Sequence, residues 1–256
     1  MAKRNTQWRR RSILDHLQET GEVTVEALAV RFATSEVTIR KDLTELESNG
    51  LLLRRYGGAV PLPREHLAVE VGASQAKKAI ARAAAELIRD HNRIIIDSGN
   101  TTAALLPELS NRRGLVVMTN SLAIANHLQE LENEPTLLMT GGTWDSRSES
   151  FQGQLAEQVL RTYDFDQLFI GADGLDVERG TTTYNELYTL SRVMADVARE
   201  VVVMAEAEKL GRRIHNLELP WSIVDILVTD GAIAAETRAK IEKQGVRIIC
   251  ASPETD

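Results

Sequence analysis

Between residues 6 and 48 the apolar positions recur every three or four residues. Ile13, Leu14 and Leu17 put one apolar face on a helix over residues 6–19, and Gly21 ends it. Thr24 is placed to cap a second helix whose Leu28, Ala29 and Phe32 face inward. Ala33-Thr34-Ser35 reads as a short turn. Ser35 caps a third helix, and Glu36 is well placed in its first turn. Ile39, Leu43 and Leu46, at i, i+4 and i+7, form the buried stripe of that helix, and Asn49-Gly50 stops it. The period then changes. Leu51-Leu52-Leu53-Arg54-Arg55-Tyr56-Gly57-Gly58-Ala59-Val60 reads as a strand, a glycine turn and a return strand.

Pro61-Leu62-Pro63 breaks regular structure, and residues 61–75 read as a linker. Beyond it, short β-branched runs alternate with amphipathic stretches. Strands are predicted over residues 93–97, 115–120, 136–140, 167–172, 201–205, 226–229 and 247–250. Helices are predicted over 76–89, 103–109, 122–132, 154–163, 184–199 and 235–244. Continuous apolar strands separated by helices mean a mostly parallel sheet covered on both faces. The expected fold class is therefore α/β: a winged helix-turn-helix domain over residues 1–60, a linker over 61–75, and a mostly parallel α/β domain over 76–256.

Composition narrows the function classes. The chain has 256 residues, 43% hydrophobic and 26% charged, enough apolar content for packed cores. Its longest apolar runs, Ile94–Ile96 and Val201–Met204, are far below the ~20 residues of a membrane span. No apolar stretch follows the basic N-terminus, so no secretory signal is expected and the cytoplasm is the expected compartment. The single cysteine, Cys250, excludes a disulfide within one chain and is expected to lie buried in a strand. The net charge is −7, but it is unevenly spread. Residues 1–60 hold ten Lys and Arg against eight Asp and Glu; the remainder holds 20 against 29. Lys3, Arg4, Arg9, Arg10 and Arg11 form a basic arm without an acid among them.

Two helices joined by a short turn, the second capped and amphipathic, form the helix-turn-helix pattern. Opposite its buried stripe the third helix offers Ser35, Glu36, Thr38, Arg40 and Lys41, the donors and acceptors that base edges and phosphates require. Arg54, Arg55 and Tyr56 belong to the wing, and Arg9 and Arg10 to the arm, suited to phosphates or a minor groove. A helical bundle with a solvated charged face would give the same pattern for any one helix. The order of helices, cap, wing and arm together favours double-stranded DNA.

Ligands of parallel sheets bind beyond the carboxyl ends of the strands. The first strand ends in Asp97-Ser98-Gly99-Asn100-Thr101-Thr102, the second in Thr119-Asn120-Ser121 and the third in Thr140-Gly141-Gly142-Thr143. The fourth ends in Gly171-Ala172-Asp173-Gly174, followed by Gly180-Thr181-Thr182-Thr183-Tyr184-Asn185-Glu186. Gly/Ser/Thr turns that open helices present N–H groups and hydroxyls to an anion. Asp97, Asn120, Asp173, Asn185 and Glu186 are acceptors for sugar hydroxyls or an amine, and Lys209 and Arg212 supply positive charge. The implied ligand is a small phosphorylated polyol or sugar. Ordinary βα turns share this composition without binding anything; the convergence of four such loops on one sheet edge favours a site.

Other chemistry is unsupported. No G-x-G-x-x-G follows a strand and no Walker A sequence is present. The histidines at 16, 66, 91, 127 and 215 have no metal-ligand spacing, and Trp8, Trp144 and Trp221 are too scattered for a stacking platform. No metal and no cofactor are expected.

The stretch Glu36-Val37-Thr38-Ile39-Arg40-Lys41-Asp42-Leu43-x-x-Leu46-Glu47-x-x-Gly50, followed by Arg55-Tyr56-Gly57-Gly58-Ala59, resembles the DNA-binding signature of DeoR-family bacterial regulators. Asp97-Ser98-Gly99-x-Thr101-Thr102, Thr119-Asn120-Ser121, Gly141-Gly142 and the 171–174 and 182–186 stretches resemble their sensor domain. The resemblance implies a sensor related in fold to ribose-5-phosphate isomerase and glucosamine-6-phosphate deaminase. It also implies repression of sugar-metabolism genes relieved by a phosphorylated sugar, and a homo-oligomer, dimer or tetramer. Thr143-Trp144-Asp145, Glu149-Ser150-Phe151-Gln152-Gly153 and Asn216-Leu217-Glu218-Leu219-Pro220-Trp221 look most like GlmR-type members, which implies an amino-sugar phosphate as effector. One departure stands out. Family members commonly read Asp-Ser-Ser-Lys-Phe-Gly where this chain has Glu206-Ala207-Glu208-Lys209-Leu210-Gly211. Glu208 would either pair with a ligand amine or neutralise Lys209. The expectation is a regulator rather than an enzyme, with repression or activation left open. The alternative is a sugar-phosphate isomerase or deaminase fused to a DNA-binding head, in which Asp173 and Glu186 would do acid–base work.

Overall fold

A computed structural model describes residues 2–48, 52–55, 57–60, 74–185, 188–212 and 214–252. The chain divides into two compact units, Met1–Val69 and Glu70–Asp256. In the first, α1 (Ala2–Thr20) leads to β1 (Val23–Thr24), α2 (Val25–Arg31) and α3 (Glu36–Ser48). A hairpin of β2 (Leu53–Arg55) and β3 (Gly58–Val60) follows, with β1 added antiparallel to β3. Ile13, Leu17, Leu28, Ile39, Leu43, Leu46 and Leu52 close one core under these elements. Gly58 permits the close approach of β3 to β1, because a Cβ there would collide with the backbone carbonyl of Val23. The expected basic arm is corrected here. Residues 2–20 are one continuous helix, with Ile13 and Leu17 fully buried in the head core.

The second unit begins with α4 (Gln75–Ala85), capped by Ser74, whose Oγ accepts from the Lys77 N–H at 3.1 Å. Then come β4 (Arg93–Ile96), α5 (Asn100–Ala103), β5 (Val116–Thr119), α6 (Leu122–Gln129) and β6 (Thr136–Met139). A small hairpin, β7 (Thr143–Asp145) and β8 (Ser150–Gln152), precedes α7 (Gln154–Leu160) and β9 (Phe165–Ile170). Next are β10 (Gly174–Asp176), β11 (Gly180–Thr183), α8 (Thr189–Asp196), β12 (Ala198–Met204) and β13 (Asn216–Pro220). The unit closes with β14 (Ile226–Asp230), α9 (Ala235–Glu242) and β15 (Arg247–Ala251).

Seven strands form one parallel sheet in the order β15-β14-β12-β9-β4-β5-β6. Successive side chains enter opposite cores. Ile95, Leu168 and Val203 pack on one face; Ile94, Ile96, Phe169, Val202 and Met204 pack on the other. This two-sided burial is why the strands are apolar without alternation. From β4 the chain steps outward through β5 to β6, then returns to the other side of β4 and steps outward through β9, β12, β14 and β15. The direction of winding therefore reverses between β4 and β9.

All seven predicted main strands are present. Some other expectations are corrected. The helix predicted over 103–109 is instead the one-turn α5 and a 3-10 turn at Leu106–Leu109, because Pro107 cannot donate into a continuing α-helix. The helix predicted over 184–199 spans only Thr189–Asp196, since Ala198 and Glu200 already pair with β9. The hairpin of β7 and β8 and the antiparallel sheet β10-β11-β13 have strands of three to five residues, too short for a period to register in the sequence. Cys250 is exposed on the edge strand β15, not buried.

Candidate functional site

In the helical unit the local sequence sets the geometry of a helix-turn-helix. The Thr24 hydroxyl accepts from Ala27 N–H at 3.2 Å and starts α2. Ser35 Oγ accepts from Thr38 N–H at 3.2 Å and starts α3. With Ile39, Leu43 and Leu46 buried, α3 turns Val37, Arg40, Lys41 and Thr44 outward. Ser35 is exposed with them, while Glu36 and Thr38 lie at the edge of this face, half-buried. Glu36 and Arg40 form an ion pair of 2.7 Å one turn apart. The Ser35 and Thr38 hydroxyls share a hydrogen bond of 2.9 Å.

The wing arginines differ from one another. Both lie within β2 rather than at the turn. The Arg54 guanidinium donates to the Thr44 hydroxyl at 2.9 Å and its backbone N–H to Glu47 at 3.1 Å, tying wing to α3. Arg55 is exposed. Tyr56 lies outside the described residues. Arg9 and Arg10, expected to contact phosphates, direct their Nε–H groups to the two oxygens of Asp42 at 2.6 and 2.9 Å. The buried Asp42 carboxylate thereby joins α1 to α3.

The second candidate site lies outside the carboxyl ends of β4 and β9, where the winding reverses and a doubly wound sheet opens a crevice. Asp97 follows β4 and Asp173 follows β9. Asn120, fully buried after β5, donates from its amide to Asp97 at 2.8 Å and accepts the Ser98 N–H at 2.9 Å. Asp173 accepts from the Thr183 hydroxyl at 2.8 Å and from Tyr184 N–H at 3.1 Å. Asn185 N–H donates to Thr183 Oγ1 at 3.0 Å. The buried Lys209 ammonium donates to the Ala172 carbonyl at 3.0 Å, immediately before Asp173. Four of the predicted positions, Asp97, Asn120, Asp173 and Lys209, are thus drawn to this reversal point by strand order and side-chain bonds.

Other predicted positions serve the loops themselves. The buried Thr102 hydroxyl bonds to the carbonyls of Asp97 and Gly99 at 2.7 and 2.8 Å, closing the Ser98–Gly99–Asn100–Thr101 turn. Thr119 Oγ1 accepts from Ser121 N–H, and Ser121 Oγ caps α6. Gly141 and Gly142 pass beside the β7–β8 hairpin; at Gly142, with φ of +112°, a Cβ would lie 2.5 Å from the Gln152 carbonyl oxygen. Glu186 lies outside the described residues. Glu208 is exposed and accepts from the Arg212 guanidinium at 3.1 Å.

Glu218 on β13 was not among the predicted site residues. It is buried beneath β11 and α8, accepting from Ser191 at 2.7 Å and Thr181 at 3.3 Å. Burial raises its carboxyl to about 8, opposed by the Ser191 bond and reinforced by the charges of Asp97 and Asp173. Burial likewise lifts Asp97 to about 6, opposed by Asn120 and the Ser98 N–H and reinforced by Asp173. The charges of Asp97 and Asp173 act through space on Glu218, and that of Asp173 on Asp97, so these acidic groups are coupled electrostatically. Such a set suits hydroxyls or an amine. An acid in the apolar run Leu217-Glu218-Leu219-Pro220-Trp221 is the one signal that marks it in the sequence. Among the described residues no cluster of histidine, cysteine and acidic groups is placed to hold a metal ion, and no helix is long and apolar enough to cross a membrane.

Comparison with known proteins agrees with this division. Residues 9–64 match the DeoR-like helix-turn-helix domain, and residues 73–231 match the DeoR C terminal sensor domain. A relative in Escherichia coli O157:H7, whose name proposes it as the aga operon transcriptional repressor, is 36% identical over 252 residues, covering 95% of this chain and 93% of its own. The HTH-type transcriptional regulator GlpR of Haloferax volcanii is 36% identical over 247 residues, covering 94% of this chain and 96% of its own. Among solved structures, ribose 5-phosphate isomerase A from Methanocaldococcus jannaschii overlays 52% of this chain and 53% of its own, with a TM-score of 0.39 and 22% identity.

Proposed function

This chain belongs to the DeoR family of DNA-binding transcriptional regulators, and from that premise we propose that it represses genes of sugar or amino-sugar metabolism until a phosphorylated sugar releases it. The head over residues 1–60 binds an operator, the segment 61–75 links, and residues 76–256 sense the effector. The observation that carries the sensing half is the meeting of Asp97, Asn120, Asp173 and Lys209 where the sheet reverses its winding. The Ser98–Gly99–Asn100–Thr101–Thr102 turn receives the phosphate, and the carboxylates hold the hydroxyls. Asp97, Asp173 and Glu218 also favour an effector that carries an amine. Two protomers or more read repeated half-sites, and the effector shifts the population of their spacings.

The test is fluorescence anisotropy of the purified protein on DNA from upstream of its own gene, titrated with hexose, hexitol and amino-sugar phosphates. One compound that shifts specific binding supports the reading; no specific binding on any fragment at moderate salt overturns it. Turnover of ribose-5-phosphate or glucosamine-6-phosphate in the same samples would favour the rival reading, in which acidic residues near Asp173 and Glu186 act as acid and base.

Two variants separate the halves. Arg40→Ala removes the guanidinium that Glu36 holds on the outward face of α3. It is expected to weaken operator binding by about 1–3 kcal/mol and to relax selectivity. Unchanged anisotropy curves would remove Arg40 from the contact set. Asp173→Asn is expected to spare operator binding and to raise the effector concentration for half-release at least about tenfold. An unaltered response would place the effector elsewhere.

A further inference from the structure

We propose that Val37 reads the C5-methyl group of a thymine in the operator, making it a specificity residue of α3 beside Arg40 and Lys41. The inference rests on the DNA-binding reading of the head and adds a base identity to it. Val37 is 72% exposed, in the first turn of a helix whose opposite face is fully buried. One helical turn on from it stands Lys41, and beyond that Thr44, both exposed, so the isopropyl group heads the most outward row of α3. Single exposed apolar residues are common and need no explanation by themselves. The neighbours of this one give it a partner.

The polar side chains of the first turn are engaged with one another: Ser35 with Thr38 at 2.9 Å, and Glu36 with Arg40 at 2.7 Å. What the turn presents between those pairs is an apolar branched group flanked by the cations Arg40 and Lys41. A polyanion with an apolar spot on its readable edge complements that surface. In duplex DNA the major groove offers that spot at thymine, whose methyl is the one apolar group among the four base edges. Helix-turn-helix proteins bring the first residues of the second helix to base edges, which places position 37 within reach.

The experiment uses the full chain. The protein selects duplexes from a randomised library, and the tightest is resynthesised with deoxyuridine replacing one thymine at a time. Anisotropy at fixed salt then compares wild type with Val37→Ala and Val37→Ile. One thymine per half-site is expected at which methyl loss weakens wild-type binding about fourfold, the effect of one buried methyl. Val37→Ala is expected to bind the parent duplex more weakly and to ignore that methyl, whereas Val37→Ile keeps the sensitivity. Equal sensitivity in wild type and Val37→Ala, or no thymine at which wild type responds, overturns the proposal. Recovery of no duplex removes the DNA-binding reading as well, a result distinct from a bound duplex that is indifferent to methyl groups.

Discussion

Asp42→Ala is expected to unfold the helix-turn-helix unit in conditions where the sheet unit stays folded. Asp42 is 2% exposed and accepts two guanidinium groups, from Arg9 at 2.6 Å and Arg10 at 2.9 Å. Its removal takes away the carboxylate that both arginines share on α3, leaving Arg10 only a longer pair with Glu45 at 3.8 Å and the Arg9 charge facing a gap. Breaking a fully buried pair costs ~3–5 kcal/mol, but the Arg10 side chain is 24% exposed and can rehydrate, so about 2–3 kcal/mol is expected. For a head with so small a core, that is a large part of the total, which for native domains begins near ~5 kcal/mol. Urea unfolding followed by circular dichroism and by operator anisotropy should show an early transition that carries away DNA binding. Coincident unfolding curves for wild type and variant would show that the bridge contributes nothing. Because Arg9 and Arg10 are the partners, charge-neutral variants of either should lose stability before they lose phosphate contacts.

The second large effect concerns pH. Glu218 titrates near 4.5 when exposed and at about 8 in the folded sensor. The folded chain therefore holds this proton more tightly than the unfolded chain. The linked stability is complete below pH 4.5 and is lost as pH rises to 8. Asp97 adds a smaller loss of the same sign between 3.8 and about 6. Glu218→Gln keeps a neutral group of the same shape beneath Ser191 and Thr181 and removes the titration. The variant is expected to match wild type near pH 5 and to exceed it at pH 9 by on the order of 3–5 kcal/mol. Denaturant titrations of the sensor transition at pH 5, 7 and 9 read this directly. A pH dependence identical to wild type would mean that Glu218 titrates as an ordinary exposed carboxyl. Effector binding measured over the same range separates a stability effect from a binding one.

The head was largely legible because its signals are local. Thr24 and Ser35 cap helices within three residues of themselves, and the buried stripe of α3 recurs within the reach of one helix. The seven main strands were legible for the same reason: two-sided burial writes a continuous apolar run into each. What the sequence by itself determined is therefore the helices of the head, the seven main strands in their order, and the turns of small and polar residues after them, whereas the short strands β7, β8, β10, β11 and β13 left no period to read. The tertiary structure decided which of those turns matter. Strand order, which no local period encodes, put Asp97 and Asp173 at the reversal of winding and left Gly141 and Gly142 beside a hairpin. It also chose the partners of the charges. Arg9 and Asp42 lie 33 residues apart, Asp173 meets Thr183 at the open end of the β10–β11 hairpin, and Glu218 is buried because β11 and α8 close over it. A side chain's charge is fixed by its type, but its role depends on what the folded chain sets against it, and that is a long-range property.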